Sequence, residues 1–594
     1  MKKDSENTEY QWSFEPFYSS WNDPRIQQDL DKSEEKVNAF VQKWKDRSDY
    51  LESAGALKES LDDYEYVLSD GGIIGNPGEY IELIYESHQD NAEVKSLLNK
   101  ITDQYNKRSN AIDFYLIRLK QLDSEILSTF ADHPLLENYR HFLEILLAES
   151  KHVLSEDTQK AVNVLTPTAF TGWVQMTESL LNDSTADVNG ETKTLNELLG
   201  ELANSDQETT KLLGEHINTI LDNHKKIAEK ELNAVLEYKK QMDGLHGFSR
   251  PDSERLLHDD VSEEVVDALV HCVSENFDIS QQYYTLKAEK IGKKQLEYYE
   301  RYLLPSTISK TYDWEASKSI TLSVLQELDP EFETIISTMI ADKRIDIFPR
   351  AGKSGGAFCA YGNKEFPVYI LLNHTGSLRD VSTFAHESGH ALHHHLYNAN
   401  QNSINASSST FTAEVASTFV EGFVFDEILQ DSTVSESDRK AISFLQLEDY
   451  IASIFRQIAL YNFETELHTE YRKKGFLPYQ QINELFAKHM SSYLGPSINM
   501  GNNADLWWIY WGHIRMMFYV YSYASGLLIS KTMGAFVRED LSYVEKVKGF
   551  MKAGKSKSGQ QIFMEMDIDI SKPNFWQKGL DSIRTDLETL KAND

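Results

Sequence analysis

The stretch from Phe384 to Leu396, FAHESGHALHHHL, constrains the fold more than any other: it sets five imidazoles and a carboxylate among small and apolar neighbours. An α-helix is the conformation that makes chemical sense of it. His386 and His390 stand i, i+4, which places both rings on one helical face about a turn apart, close enough to share one tetrahedral ion. Thr383, Phe384 and Ala385 before them are small or apolar, so this face is expected to be buried, and buried imidazoles need partners. Glu387 lies one step round the helix, where its carboxylate can reach a water on the ion without ligating the ion itself. Two ligands and a general base in that order form the H-E-x-x-H pattern of zinc peptidases.

A catalytic zinc takes a third protein ligand and keeps one position open. The apolar run FTAEVASTFVEGFVFDEIL supplies a candidate in Glu414, which falls 24 residues beyond His390. That interval leaves room to finish one helix, cross the polar segment NANQNSINASSS and enter a second helix packed on the first. Ala413, Ala416 and Ser417 are small, as close helix packing around an ion requires. Ser417 and Glu421 on the same run are candidates for supporting the ligands or the substrate. His393 shares the face of His386 and His390 and is expected to support them, whereas His394 and His395 are expected to face solvent.

The rest of the chain favours a mainly helical, soluble enzyme. It has only 13 prolines in 594 residues, and 3.6-residue periodicity recurs, as at Ile112, Leu116, Leu119 and Leu122. Hydrophobic residues make up 41% and charged residues 26%, which argues against intrinsic disorder. The net charge of −34 disfavours nucleic acid and anionic membrane surfaces as partners. Two cysteines, Cys272 and Cys359, provide no disulfide framework. With no long apolar segment and no apolar run behind the first lysines, a cytoplasmic location is expected.

Three regions are expected: an N-terminal helical region over 1–110, a helical and β-hairpin segment over 111–200, and a catalytic domain over 201–594. The cluster GGIIGNPGEY reads as a turn and GLHGFSRPD as a helix break. LTPTAFTGWVQM is rich in β-formers, and Asn189-Gly190 suits a hairpin turn. A second β-like island runs over 345–373, so a small sheet is expected just before the histidine helix. Gly355 and Gly356 there would let a substrate backbone approach, as an added strand would require.

Several stretches together resemble peptidase family M3, the zinc oligopeptidases, and within it the oligoendopeptidase F branch. They are HESGHALH with AEVAST downstream, IDIFPRAGKSGGAFCAYG (345–362), YILLNHTGSLRDVSTFAHE (369–387) and HIRMMFYVYSYASG (513–526). The likeness runs from about residue 110 to the C-terminus. It implies a zincin-type fold of two mostly helical halves enclosing a deep substrate channel, with one Zn2+ per chain and short unfolded oligopeptides as substrates. Carried over residue by residue, His386, His390 and Glu414 would ligate zinc and Glu387 would be the catalytic base. His513, Tyr519 and Tyr523 would bind substrate and stabilise the oxyanion, with Tyr519 and Tyr523 on one helix face and Tyr521 pointing away. The expected function is endopeptidase action on internal peptide bonds. One alternative is a metallocarboxypeptidase or dipeptidase, which needs a cation such as Arg515 to grip a terminal carboxylate. A non-catalytic peptide-binding protein is another.

Overall fold

The computed structural model describes residues 10–592 apart from 16, 70, 203–204, 306–307, 361–363 and 365, so the end of the 345–362 stretch lies outside the described residues. Helices dominate, as expected, and the strands form three small sheets among the described residues. The chain divides into two compact units. One comprises Met1–Val153, Lys310–Ser432 and Met533–Ile568; the other comprises Leu154–Ser309, Thr433–Thr532 and Asp569–Asp594.

In the first unit the β-island is a three-stranded sheet. Tyr369–Leu371 lies in the centre, parallel to Ile345–Asp346 on one side and antiparallel to Phe358–Ala360 on the other. The N-terminal segment braces this sheet. Trp12 donates its indole N–H to the Ile370 carbonyl at 2.8 Å, and the Tyr10 carbonyl accepts from the Ile347 amide at 3.0 Å. Trp12, Phe14 and Phe17 pack edge-on or tilted against Tyr369, Tyr80 and Phe366. The turn cluster at 71–80 holds a short 3-10 turn, Gly72–Ile74, and then opens directly into the helix Asn76–Ser87, with Pro77 in its first turn, where the missing N–H costs nothing.

The histidine helix is Leu378–Asn400. Its start is fixed by a capping box between Ser377 and Asp380. Asp380 also accepts from the Thr375 and Gly376 amides, so the turn between sheet and helix is pinned by one carboxylate. Its partner helix, Val415–Gln430, is preceded by one short turn of helix, Thr410–Ala413, and buries Val415, Ala416, Ser417, Phe419, Val420 and Val424. The contact between the two is made at Gly389. A Cβ there would sit 2.4 Å from the Ala416 carbonyl oxygen and 2.5 Å from Ser417 Cα, so the helices come together backbone to backbone. Glycine costs about 1 kcal/mol in a helix interior, and this approach is what it permits.

The second unit is built on the helix Gln207–His246, which ends at Gly247 in the left-handed conformation (φ 75°). The hairpin forms as expected: Thr185–Val188 pairs with Glu191–Thr194 across Asn189-Gly190, both with positive φ. The reading of 165–176 as β-rich is corrected. That segment is helical, passing from Glu156–Thr166 through a π-turn at Pro167–Thr171 into Gly172–Asn182. Local β propensity loses there to helix packing: the π-turn lets the chain accommodate Pro167, and Phe170 stacks on Tyr238 at 5.2 Å.

The backbone contact at Gly389 generates a prediction. Gly389→Ala forces a methyl group into the Ala416–Ser417 backbone, and overpacking of this kind costs about 1–3 kcal/mol. Denaturant unfolding of wild type and variant should show that loss, and equal midpoints would contradict the close approach.

Candidate metal centre

His386, His390 and Glu414 converge. One ligand atom from each lies within 4.8 Å of the other two. Glu414 Oε2 is 3.2 Å from His386 Nε2 and 3.5 Å from His390 Nε2. Glu414 owes its position to the junction of two helices: it closes the short turn Thr410–Ala413 and caps the start of Val415–Gln430. Ser417 Oγ donates to Glu414 Oε2 at 3.1 Å and Thr418 Oγ1 to its carbonyl at 2.6 Å, which fixes both ends of the residue.

The electrostatics suit a cation. Burial would push the Glu414 carboxyl up, yet the two imidazoles outweigh it and hold the group well below the usual carboxylate range. Burial likewise opposes a charge on His386, but Glu414 and Glu421 overcome it and raise its pKa to about 10. Glu421 Oε2 lies 3.2 Å from His386 Nδ1, so a second carboxylate fixes that ring with Nε2 turned to the cluster. Two imidazoles and a carboxylate, with a further carboxylate behind one ring, are a donor set that fits a divalent metal ion such as zinc.

Glu387 is buried (7% exposed). Burial raises its carboxyl pKa, partly offset by His386 and His390. The nearby backbone N–H of Cys359 also lowers it slightly. Cys359 lies at the middle of the outer strand Phe358–Ala360, opposite Ile370, whose own amide is turned the other way to Arg344. Gly355 and Gly356 lie exposed on the loop before the strand, with Asn373 donating to the Ser354 and Gly356 carbonyls.

The other histidines separate differently from expectation. His395 is exposed, as foreseen. His394 is not: it is 1% exposed, with Nδ1 3.8 Å from Cys359 Sγ, because its side of the helix packs under the sheet. His393 is also buried, but its ring packs at a tilt on Phe550, centroids 5.1 Å apart, and meets Tyr397, outside the ligand cluster.

The second unit gathers a separate group. His513 stacks on Tyr519 at 5.5 Å with planes 6° apart, and the Tyr519 and Tyr523 hydroxyls are 3.0 Å from each other. Burial and then the Arg456 guanidinium hold the His513 imidazole below its ordinary pKa. Tyr521 is buried and donates to Asp259 at 2.7 Å, facing away from this group. The shared helix face expected for Tyr519 and Tyr523 is corrected. The helix starts only at Tyr521, and Tyr519 follows two residues with positive φ, Met517 (50°) and Phe518 (58°). That left-handed pair carries the Tyr519 ring back over its neighbours. Its anchor is Glu464, fully buried, which accepts from the Phe518 amide at 3.1 Å. No motif marks Glu464, and with Glu466 two residues on and Asn462 and Thr465 beside it, nothing in the stretch IALYNFETEL singles it out as the buried one. Arg515 is spent structurally: it pairs bidentately with buried Glu231 and donates to the Trp508 and Trp511 carbonyls.

Glu464 yields a pH prediction. Burial raises its pKa from 4.5 to about 8, so the folded chain prefers the protonated form. Stability should therefore fall as pH rises from 4.5, where the unfolded chain begins to ionise, to about 8, where the folded one does. The slope is at most about 1.4 kcal/mol per pH unit. Glu464→Gln, which keeps the acceptor for Phe518, should flatten the slope across that window. An identical pH profile of unfolding in the two proteins would contradict it.

Sequence and structure comparisons agree with this geometry. The model of peptidase family M3 matches residues 202–582, and one described as oligopeptidase F matches 118–185. The oligoendopeptidase F homolog of Borreliella burgdorferi is 25% identical over 545 residues, covering 90% of this chain and 91% of that protein. Oligopeptidase PepF of Bacillus subtilis is 24% identical over 533 residues, covering 88% and 78%. Among solved structures, one from Chlamydophila abortus superposes with a TM-score of 0.86 at 20% identity, over 99% of this chain and 98% of that one. Oligoendopeptidase-F of Enterococcus faecium gives 0.67 at 18%, over 96% and 97%. With the family model covering well over half of its length and the histidine–glutamate cluster inside that span, the chain belongs to peptidase family M3 and is a metallopeptidase.

Proposed function

We propose that this chain is a zinc-dependent endopeptidase that hydrolyses internal bonds of short, unfolded oligopeptides. The observation that carries the reading is the meeting of His386, His390 and Glu414 with Glu387 buried beside them. The names of the relatives, oligoendopeptidase F and oligopeptidase, support it.

His386, His390 and Glu414 would hold the ion, and zinc so held supplies Lewis-acid charge that makes water nucleophilic near neutral pH. Glu387 takes the proton from the attacking water. Its raised pKa brings it toward the range in which a carboxylate both accepts a proton and returns it, here to the leaving amine. By the likeness to the family, His513, whose pKa burial and Arg456 depress, and Tyr519 or Tyr523 would bind substrate and give a hydrogen bond to the oxyanion. The paired hydroxyls of Tyr519 and Tyr523 leave one phenol proton for that bond. Gly355 and Gly356 line the approach of the substrate backbone.

Arg515 bears on the alternatives. A carboxypeptidase or dipeptidase reading asks it to bind a terminal carboxylate, and it is buried and paired with Glu231. A purely peptide-binding role leaves the buried Glu387 without a task.

Glu387→Gln preserves size but removes the base. It should retain stoichiometric metal and lose about a thousandfold in kcat on peptides blocked at both ends. Wild-type turnover by the variant, or failure of the native protein to cut blocked peptides, would overturn the reading.

A further inference from the structure

Within the second unit, two guanidiniums lie in one aromatic nest with no acidic partner. Arg301 is 2% exposed, held between the rings of Tyr298 (3.7 Å), Tyr302 (4.3 Å) and Trp507 (4.9 Å). It donates to the Tyr298 carbonyl at 2.6 Å and to the Tyr302 hydroxyl at 2.7 Å, and its Nε has no partner. Arg456 lies over Trp511 at 6.0 Å, and its Nε is likewise buried without a partner. Neither forms an ion pair among the described residues. The nearby carboxylate of Glu448 is taken by Lys287 and Tyr283.

An uncompensated buried charge costs several kcal/mol, so three cations around one carboxylate call for an anion. The local field points the same way. Although burial alone would raise the Tyr302 phenol pKa, Arg301, Arg456 and a hydrogen bond with Tyr510 bring it below its ordinary value. The backbone is also unusual here: Arg456 is the first residue after the π-turn Ile451–Phe455, an interruption in an otherwise continuous helix from Glu436 to Lys474. Such turns occur often where a side chain is re-aimed for function. Arg456, Tyr302 and Tyr510 are half-buried, so the nest is reachable from solvent, and Arg456 is near enough to His513 to depress its pKa.

We propose that Arg456, backed by Arg301 and flanked by the Tyr302 and Tyr510 phenols, is a carboxylate-binding subsite for a peptide's acidic side chain or C-terminal carboxylate. The identity of the ligand as a peptide rests on the proposed function; the anion site does not. A guanidinium meets a carboxylate with two parallel N–H bonds, and this one has its donors unspent.

The test is isothermal titration of the full-length protein with three short acetylated peptides of one sequence: the free acid, the C-terminal amide, and the amide with one residue replaced by aspartate. The free acid, the aspartyl amide or both should bind about tenfold or more tightly than the neutral amide, and whichever does so identifies the carboxylate's source. Arg456→Gln should remove the difference, and Arg456→Lys, which keeps charge but not the fork, should retain part of it. Should Arg456→Gln fail to fold, chloride titration of the native protein carries the test, since chloride should weaken the carboxylate peptides selectively. Equal binding of all three peptides, a preference that survives in Arg456→Gln, or a preference for inorganic chloride alone overturns the subsite. Binding without cleavage of any peptide would overturn the proposed function and leave the subsite standing.

Discussion

The site depends on one contact, the backbone-to-backbone approach of two helices at Gly389. Two imidazoles a turn apart can be written into any helix, but a third ligand has to come from another element and arrive within a few ångströms. The missing side chain at position 389, between His386 and His390, lets the helix Val415–Gln430 press its first turn against the histidine helix. Glu414 is the residue that caps that turn. The position of the carboxylate is thus set by helix packing and by its own backbone hydrogen bonds before any ion is considered, which is how rigid elements hold a site more closely than loops do.

The second theme is the placing of backbone amides beside carboxyl groups. The Cys359 amide, on the outer edge of a three-residue strand, lies close enough to the Glu387 carboxyl to lower its pKa slightly. The Phe518 amide, in a left-handed pair that costs backbone energy, is held by buried Glu464. In each case a main-chain N–H sits near a carboxyl group removed from water, where polar interactions are strengthened. Each sits next to a residue to which the proposed mechanism assigns chemistry, Glu387 in the first case and Tyr519 in the second.

Much of the site was legible in the sequence because its signals are local. The i, i+4 histidines, the adjacent glutamate, the small residues around Glu414 and the strand–turn–helix order all follow from spacing and residue size. Asn189-Gly190 announced its hairpin for the same reason. What was not legible depends on tertiary partners. His394 looked like surface because nothing in its neighbours shows that the sheet covers it. Tyr519 and Tyr523 share an i, i+4 spacing, and their hydroxyls do meet, but by a left-handed kink at Met517 and Phe518 that spacing cannot reveal. Arg515 looked available because its partner Glu231 lies far away in sequence. The β-forming residues of 165–176 were overridden by the helix they pack on.

The central claim is that these two imidazoles and this carboxylate bind one zinc ion. Zinc K-edge X-ray absorption, with metal quantified on the same purified protein, tests it most directly. The account predicts one zinc per chain, with two imidazole nitrogens in its first shell and oxygen completing it, and a changed spectrum with weaker retention in Glu414→Ala. A protein that holds no zinc, a first shell lacking imidazole, or a spectrum indifferent to the loss of Glu414 would contradict it.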